Sequence, residues 1–232
     1  MHGARLAAAK DKSGRDMSVN SDIAKLVDPN RPLLLLDADE VLLKFVEHLE
    51  VYLTSQGAEL RLNSFQLGGN IFYSGTEDVA PPDAVRAFIA GFFDDCVDDL
   101  ALVDGAKPAL DALSETYQIM ILSNVPSRCR ARREANLRDH GLAYPVIANK
   151  GEKGPMARDL AAATSLNAVF VDDLPPQHSS VATAAPAIHR VHFVGDPRLA
   201  RLISKAPDAH TRIDCWHALL QYLERLDGGH NR

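Results

Sequence analysis

The chain has 232 residues, enough for one α/β domain with a sizeable insertion or for two small domains. Apolar residues make up 46% and charged residues 24%, as in an ordinary soluble globular protein, and a formal net charge of -6 offers no basic field to nucleic acid. Cys96, Cys129 and Cys215 are far apart and give neither a disulfide framework nor a zinc spacing, and no apolar run approaches the roughly 20 residues that span a bilayer. The expected location is therefore the cytoplasm, with no membrane and no nucleic-acid partner. Nothing in the sequence fixes an oligomeric state.

Met1 to Asn20 is polar, lacks the hydrophobic segment of a secretory signal, and reads as a disordered tail. Pro29 and Pro32 bracket a turn that feeds a first strand, Leu33 to Leu36. Phe45 to Thr54 reads as a helix with Phe45, Val46, Leu49, Tyr52 and Leu53 on its apolar face. From Gly57 to Asp104 no strand–helix alternation is visible, and Asp83 to Asp95 has the spacing of an amphipathic helix. The segment 44–104 is expected to be a small helical cap, set into a core formed by 21–43 and 105–232.

After Gly105 the pattern becomes regular. Helices are expected over Ala109 to Tyr117, Pro126 to His140, Pro155 to Ser165, Ser179 to Ala185 and Cys215 to Leu226. Strands are expected over Gln118 to Leu122, Pro145 to Ala148, Ala168 to Val171 and Ile188 to Val194. Such alternation implies a Rossmann-like three-layer α/β core with a parallel sheet covered on both faces. Arg128, Arg130, Arg132 and Arg133 read as the solvated face of a helix.

Three strands end in polar groups. Asp37 and Asp39 follow the first, Ser123 and Asn124 end the second, and Asp172 and Asp173 follow the fourth. Lys150 and Lys153 precede the helix before that fourth strand. In a parallel sheet these groups converge on one edge, where open α/β sheets bind ligands. Buried carboxylates at close quarters are costly unless they hold a cation or share a proton. Hard oxygen ligands suit Mg²⁺, while a hydroxyl, backbone amides and a lysine suit phosphate oxygens.

In this order, Leu33-Leu34-Leu35-Leu36-Asp37-Ala38-Asp39-Glu40-Val41, Ile119-Met120-Ile121-Leu122-Ser123-Asn124, Lys153-Gly154-Pro155 and Val169-Phe170-Val171-Asp172-Asp173 resemble the four motifs of the haloacid dehalogenase superfamily. The resemblance runs from Leu33 to Val194. It implies a Mg²⁺-dependent phosphohydrolase that acts on a small phosphorylated metabolite through an aspartyl-phosphate. Asp37 would be the nucleophile and Asp39 the acid and base, also lending its backbone carbonyl to the metal. Ser123, Asn124 and Lys153 would bind phosphate. Asp173 would ligate the metal, with Asp172 acting through water.

Lys153 matches the third motif better than Lys150, and a second aspartate favours phosphate chemistry over carbon–halogen cleavage. One departure stands out: Glu40 takes the place where relatives often carry glycine, and it either faces the site entrance or points to solvent. Phe65, Phe72, Tyr73, Phe88, Phe92 and Phe93 concentrate aromatic surface in the cap, mostly as its core. A phosphate-accepting receiver domain or a non-catalytic phosphate-binding protein is the alternative reading.

Overall fold

The computed structural model describes residues 25–228, so the tail expected over 1–20 lies outside the described residues. The chain enters with β1 (Leu33–Leu36). An insertion follows, made of α1 (Phe45–Ser55), β2 (Ala58–Leu60), β3 (Ile71–Tyr73) and α2 (Pro82–Cys96). Helices and strands then alternate through α3 (Ala106–Leu113), β4 (Gln118–Ser123), α4 (Arg130–Asp139), β5 (Val146–Ala148), α5 (Gly154–Ala161), β6 (Ala168–Asp172), α6 (Pro175–Ala184) and β7 (His189–Phe193). The last elements are α7 (Pro197–Ala200), β8 (Thr211–Ile213) and α8 (Trp216–Gly228).

The main sheet has the order β5-β4-β1-β6-β7-β8, with every neighbouring pair parallel. Four leucines make β1 because both of its faces are buried. Side chains alternate across a strand, so Leu34 and Leu36 join Ile121 and Val171 in one core while Leu33 and Leu35 join Met120 and Phe170 in the other. Helices α3, α4 and α8 cover the first face through Leu110, Leu137 and Leu219. Helices α5 and α6 cover the second through Leu160 and Val181. The result is the expected three-layer Rossmann-like core. Burying each leucine of β1 contributes about 1.5–3 kcal/mol.

This topology positions the site. The chain order turns back about β1, which lies between β4 and β6. Leu36 is in register with Ile121 on one side and Val171 on the other, so the three strands end within two residues of one another, β6 running one residue and β4 two residues past that level. The Asp37 amide donates to the Val171 carbonyl at 2.9 Å, which carries the alignment one residue past the strand. The polar ends of all three strands thus open into the crevice at their carboxyl edge.

Several elements differ from the sequence reading. The insertion is not purely helical, because β2 and β3 form an antiparallel hairpin. Strands of three residues are too short for an alternation to be legible. Helix α3 starts earlier and stops at Leu113, since residues after it form turns back to Leu113 that lead directly into β4. Helix α6 starts at Pro175, where the missing proline N–H does no harm at a first turn. The short α7 and the edge strand β8 carry no pattern strong enough to be anticipated.

Candidate active site

Lys153 stands at the start of α5 with only 1% of its side chain exposed. Its Nζ lies 2.7 Å from Oδ1 of Asp37 and 2.7 Å from Oδ2 of Asp172. The backbone here is pinned against α6. The Lys153 amide donates to Oε1 of Gln177 at 2.9 Å, and the Gly154 amide donates to Oγ of Ser180 at 3.0 Å. A Cβ on Gly154 would meet the Ser180 carbonyl oxygen at 2.2 Å, so glycine is required for the close approach that seats Lys153. Lys150, the competing lysine, is exposed.

The two acids after β6 differ in how they are held. Asp172 uses both oxygens, Oδ2 toward Lys153 and Oδ1 accepting the Leu174 amide at 2.9 Å. Asp173 lines the cavity above the strand ends. Two fully buried histidines brace this pair from behind. Nε2 of His178 donates to the Asp172 carbonyl and Nε2 of His192 to the Asp173 carbonyl, each at 2.9 Å. Desolvation lowers both rings to about 4, so they are neutral near pH 7.

One carboxylate oxygen from each of Asp37, Asp172 and Asp173 lies within 4.8 Å of the others. Burial pushes Asp37 up to about 6, with Lys153 opposing and Asp172 adding to the rise. Burial raises Asp173 well above the usual carboxylate range, and the charges of Asp172, Asp37 and Glu40 add to it. Burial also reduces the tendency of Lys153 to stay charged, but Asp172 and Asp37 outweigh it and hold the ammonium form. Three buried acids therefore share one fixed cation. That surplus of hard oxygen donors fits a divalent cation such as Mg²⁺.

Asp39 faces the same cavity from the other side of Ala38. Nη2 of Arg133 lies 2.8 Å from its Oδ1. Arg133 is 0% exposed, which corrects the expectation of a solvated side chain for this one arginine, while Arg128, Arg130 and Arg132 do reach solvent. A fully buried arginine is rare unless paired, and its partner is 94 residues away in sequence. The other arginines are also engaged. Arg128 pairs with Asp94 and Arg132 with Asp98, which ties α4 and the turn before it to α2 and the turn after it, while Arg130 pairs with Glu134 on its own helix. Burial raises Asp39, Arg133 pulls it back, and Asp37 pushes it up again.

Ser123 is fully buried at the end of β4, and its Oγ accepts the Val125 amide at 3.1 Å. Asn124, not Ser123, is among the cavity-lining residues, with its amide bonded to Gly151 and Asn149.

The cavity over this floor has a volume of about 240 Å³. Phe45 and Val46 of α1, Phe93 of α2, Leu174 and Leu199 form part of its wall. The β2–β3 loop supplies Leu62, Phe65, Gln66 and Leu67. Buried Asn70 shapes that loop by donating to the Ser64 carbonyl at 2.7 Å and the Gln66 carbonyl at 2.6 Å. Phe92 packs in the core of the insertion, edge-on to Phe45 at 5.0 Å. Arg61 lies over the Phe72 ring, and Tyr73 is partly exposed.

No family model and no curated protein matches the sequence. Solved structures do match in shape. A haloacid dehalogenase family hydrolase from Deinococcus radiodurans, with bound phosphate and sodium, has a TM-score of 0.57 at 16% identity over 85% of this chain and 97% of its own. A haloacid dehalogenase-like hydrolase from Streptococcus pneumoniae has a TM-score of 0.57 at 11% identity, over 84% and 99%. The magnesium-bound protein YfnB of Bacillus subtilis has a TM-score of 0.54 at 15% identity, over 84% and 99%. The chain has the haloacid dehalogenase-like fold.

Within the haloacid dehalogenase-like fold, Glu40 gains a physical explanation. Its φ is 60°, a left-handed conformation that glycine adopts without strain and glutamate rarely does. Three bonds hold it there. Oε1 accepts the Val46 amide at 2.6 Å, the Glu40 amide donates to the Leu43 carbonyl at 2.9 Å, and its carbonyl accepts the Gly195 amide at 3.3 Å. Glu40 is buried and satisfies an amide in the first turn of α1, so it does not point to solvent. Desolvation raises its carboxyl to about 7. Among the described residues no helix is long and apolar enough to cross a membrane.

Proposed function

We propose that the chain is a Mg²⁺-dependent phosphohydrolase that cleaves a small phosphate monoester. The observation that carries this reading is the placement of Lys153 between Asp37 and Asp172, with Asp173 beside them, at the shared end of β1, β4 and β6. A phosphoryl group brings negative charge to an acidic floor. A buried ammonium of fixed position offsets that charge where it develops.

Asp37 is the nucleophile. Its Oδ1 carries the Lys153 ion pair and accepts the Ala38 amide at 2.8 Å, which leaves Oδ2 free to attack phosphorus. Asp39, in its acid form, gives a proton to the departing alkoxide. It then takes a proton from the water that attacks the aspartyl-phosphate, which restores both carboxyls and releases phosphate. Arg133 fixes the Asp39 carboxyl at the cavity wall for these transfers. Lys153 and the turn after Ser123 hold phosphate oxygens. Asp37, Asp173 and the Asp39 carbonyl would hold a Mg²⁺, with Asp172 placed beside them on Lys153. The bound cation supplies Lewis-acid stabilisation of phosphoryl charge.

The segment 44–104 acts as the cap that closes over this floor and keeps water out, with 21–43 and 105–232 as the core. A phosphate-accepting switch has less use for a second, proton-delivering carboxylate held by its own arginine. Phosphate release from a panel of small phosphomonoesters, with Mg²⁺ and with EDTA, tests the proposal. Turnover that needs Mg²⁺ supports it, and absence of turnover across the panel overturns it.

A further inference from the structure

Above the charged floor, the cavity wall is almost entirely hydrocarbon. Phe45, Phe93, Leu62, Phe65, Leu67 and Leu199 surround the space, and Gln66, itself exposed, sits among them as a neutral amide. Among the described residues no lysine or arginine other than Lys153 lines the cavity, and Lys153 sits at the floor between Asp37 and Asp172, where it serves the phosphate end. Asn124 is already bonded to Gly151 and Asn149.

We infer that the substrate is a phosphate monoester whose alcohol is a small uncharged hydrocarbon, a class that excludes sugar phosphates, phosphorylated amino acids and nucleotides. The inference rests on the phosphohydrolase reading and extends it to the organic half of the substrate. A polyol buried against these walls would leave its hydroxyls without partners, and a hydrocarbon would gain by leaving water. A second anionic group would face the carboxyl groups of Asp39, Glu40 and Asp173, with no second lysine or arginine lining the cavity among the described residues. The volume of about 240 Å³ lies below the roughly 300–1,000 Å³ usual for ligand pockets, so the alcohol is no larger than a single ring or a short branched chain.

The loop that carries Leu62, Phe65 and Leu67 is built for this wall. Asn70 spends its side-chain amide on the Ser64 and Gln66 carbonyls, which turns the loop's polar backbone inward to its own clamp. The apolar side chains are left to face the cavity.

Two measurements test the inference together. In the first, kcat/KM with Mg²⁺ is compared for benzyl phosphate, 3-methylbutyl phosphate, glycerol 3-phosphate and glucose 6-phosphate, all esters of aliphatic alcohols. In the second, calorimetry compares benzylphosphonate with 2,3-dihydroxypropylphosphonate, neither of which can be hydrolysed. The expected result is a preference of about ten- to a hundredfold for the hydrocarbon member in both. Phe65→Gln, with Leu67→Gln as a second loop variant, should reduce that preference at least fivefold while the melting temperature stays near wild type. Equal or reversed preference in binding overturns the inference, whatever the turnover. Preference in binding without turnover of any ester supports the apolar site and overturns the hydrolase reading instead.

Discussion

Nη2 of Arg133, a fully buried side chain on α4, lies 2.8 Å from Oδ1 of Asp39, the second acid after β1. Nε and Nη1 of the same guanidinium have no hydrogen-bond partner among the described residues. The whole side chain is thus held in the interior by one carboxylate. Arg133→Met should lower kcat/KM by about ten- to a hundredfold, a part of what a general acid contributes. Arg133 opposes the upward push of burial on Asp39, so its removal raises that carboxyl further. The basic limb of the pH–rate profile should move to higher pH. Arg133→Lys, which keeps the charge, should move the limb less. An unchanged profile in both variants contradicts the role given to Arg133.

Lys153 and Lys150 should separate cleanly. Lys153→Met leaves Asp37 and Asp172 buried without their shared cation, a loss of about 3–5 kcal/mol for a broken buried pair. Turnover should vanish, and urea unfolding without Mg²⁺ should shift to lower denaturant. Lys150→Ala, at an exposed position, should change neither. Loss of activity in Lys150→Ala would reverse the assignment.

Glu40 couples stability to pH. Its carboxyl rises from 4.5 to about 7 in the fold, so the folded state holds a proton that the unfolded state releases between those values. The stabilisation is complete below pH 4.5 and is lost as pH climbs through 7. Glu40→Gln keeps an acceptor for the Val46 amide and removes the titration. The variant should match wild type near pH 4.5 and exceed it by about 3 kcal/mol at pH 8, measured by urea unfolding at both pH values. A difference that does not change with pH contradicts this.

The polar floor is legible in the sequence because its carboxyl and hydroxyl groups each follow or end an apolar strand. Four leucines before Asp37, the run before Ser123 and the run before Asp172 place those groups at one edge once the sheet is parallel. Lys153-Gly154 can also be located, since the glycine permits the contact with Ser180. Arg133 is different. Local pattern reads a run of arginines as solvated, and only the tertiary pairing with Asp39 reverses that. Glu40 shows the same limit, because its burial depends on a helix amide six residues on. The β2–β3 hairpin escapes notice because three-residue strands leave no period to detect. Asn70 is similarly hidden, since its importance lies in carbonyls four and six residues back.

Asn70 offers a check on the loop itself. Asn70→Ala removes three side-chain hydrogen bonds, to the Ser64 carbonyl, the Ser64 hydroxyl and the Gln66 carbonyl. The cavity wall should loosen while the floor stays intact. KM for benzyl phosphate should rise about tenfold with kcat within twofold of wild type, the pattern of lost uniform binding. A fall in kcat with KM unchanged would place Asn70 in the chemistry instead of the wall.

The central claim is that Asp37 attacks phosphorus. Wild type and Asp37→Asn are incubated with Mg²⁺ and para-nitrophenyl phosphate, product release is followed, and circular dichroism checks that both are folded. The account predicts steady release by wild type, none when EDTA replaces Mg²⁺, and none above background by a folded Asp37→Asn. Undiminished release by Asp37→Asn would contradict it.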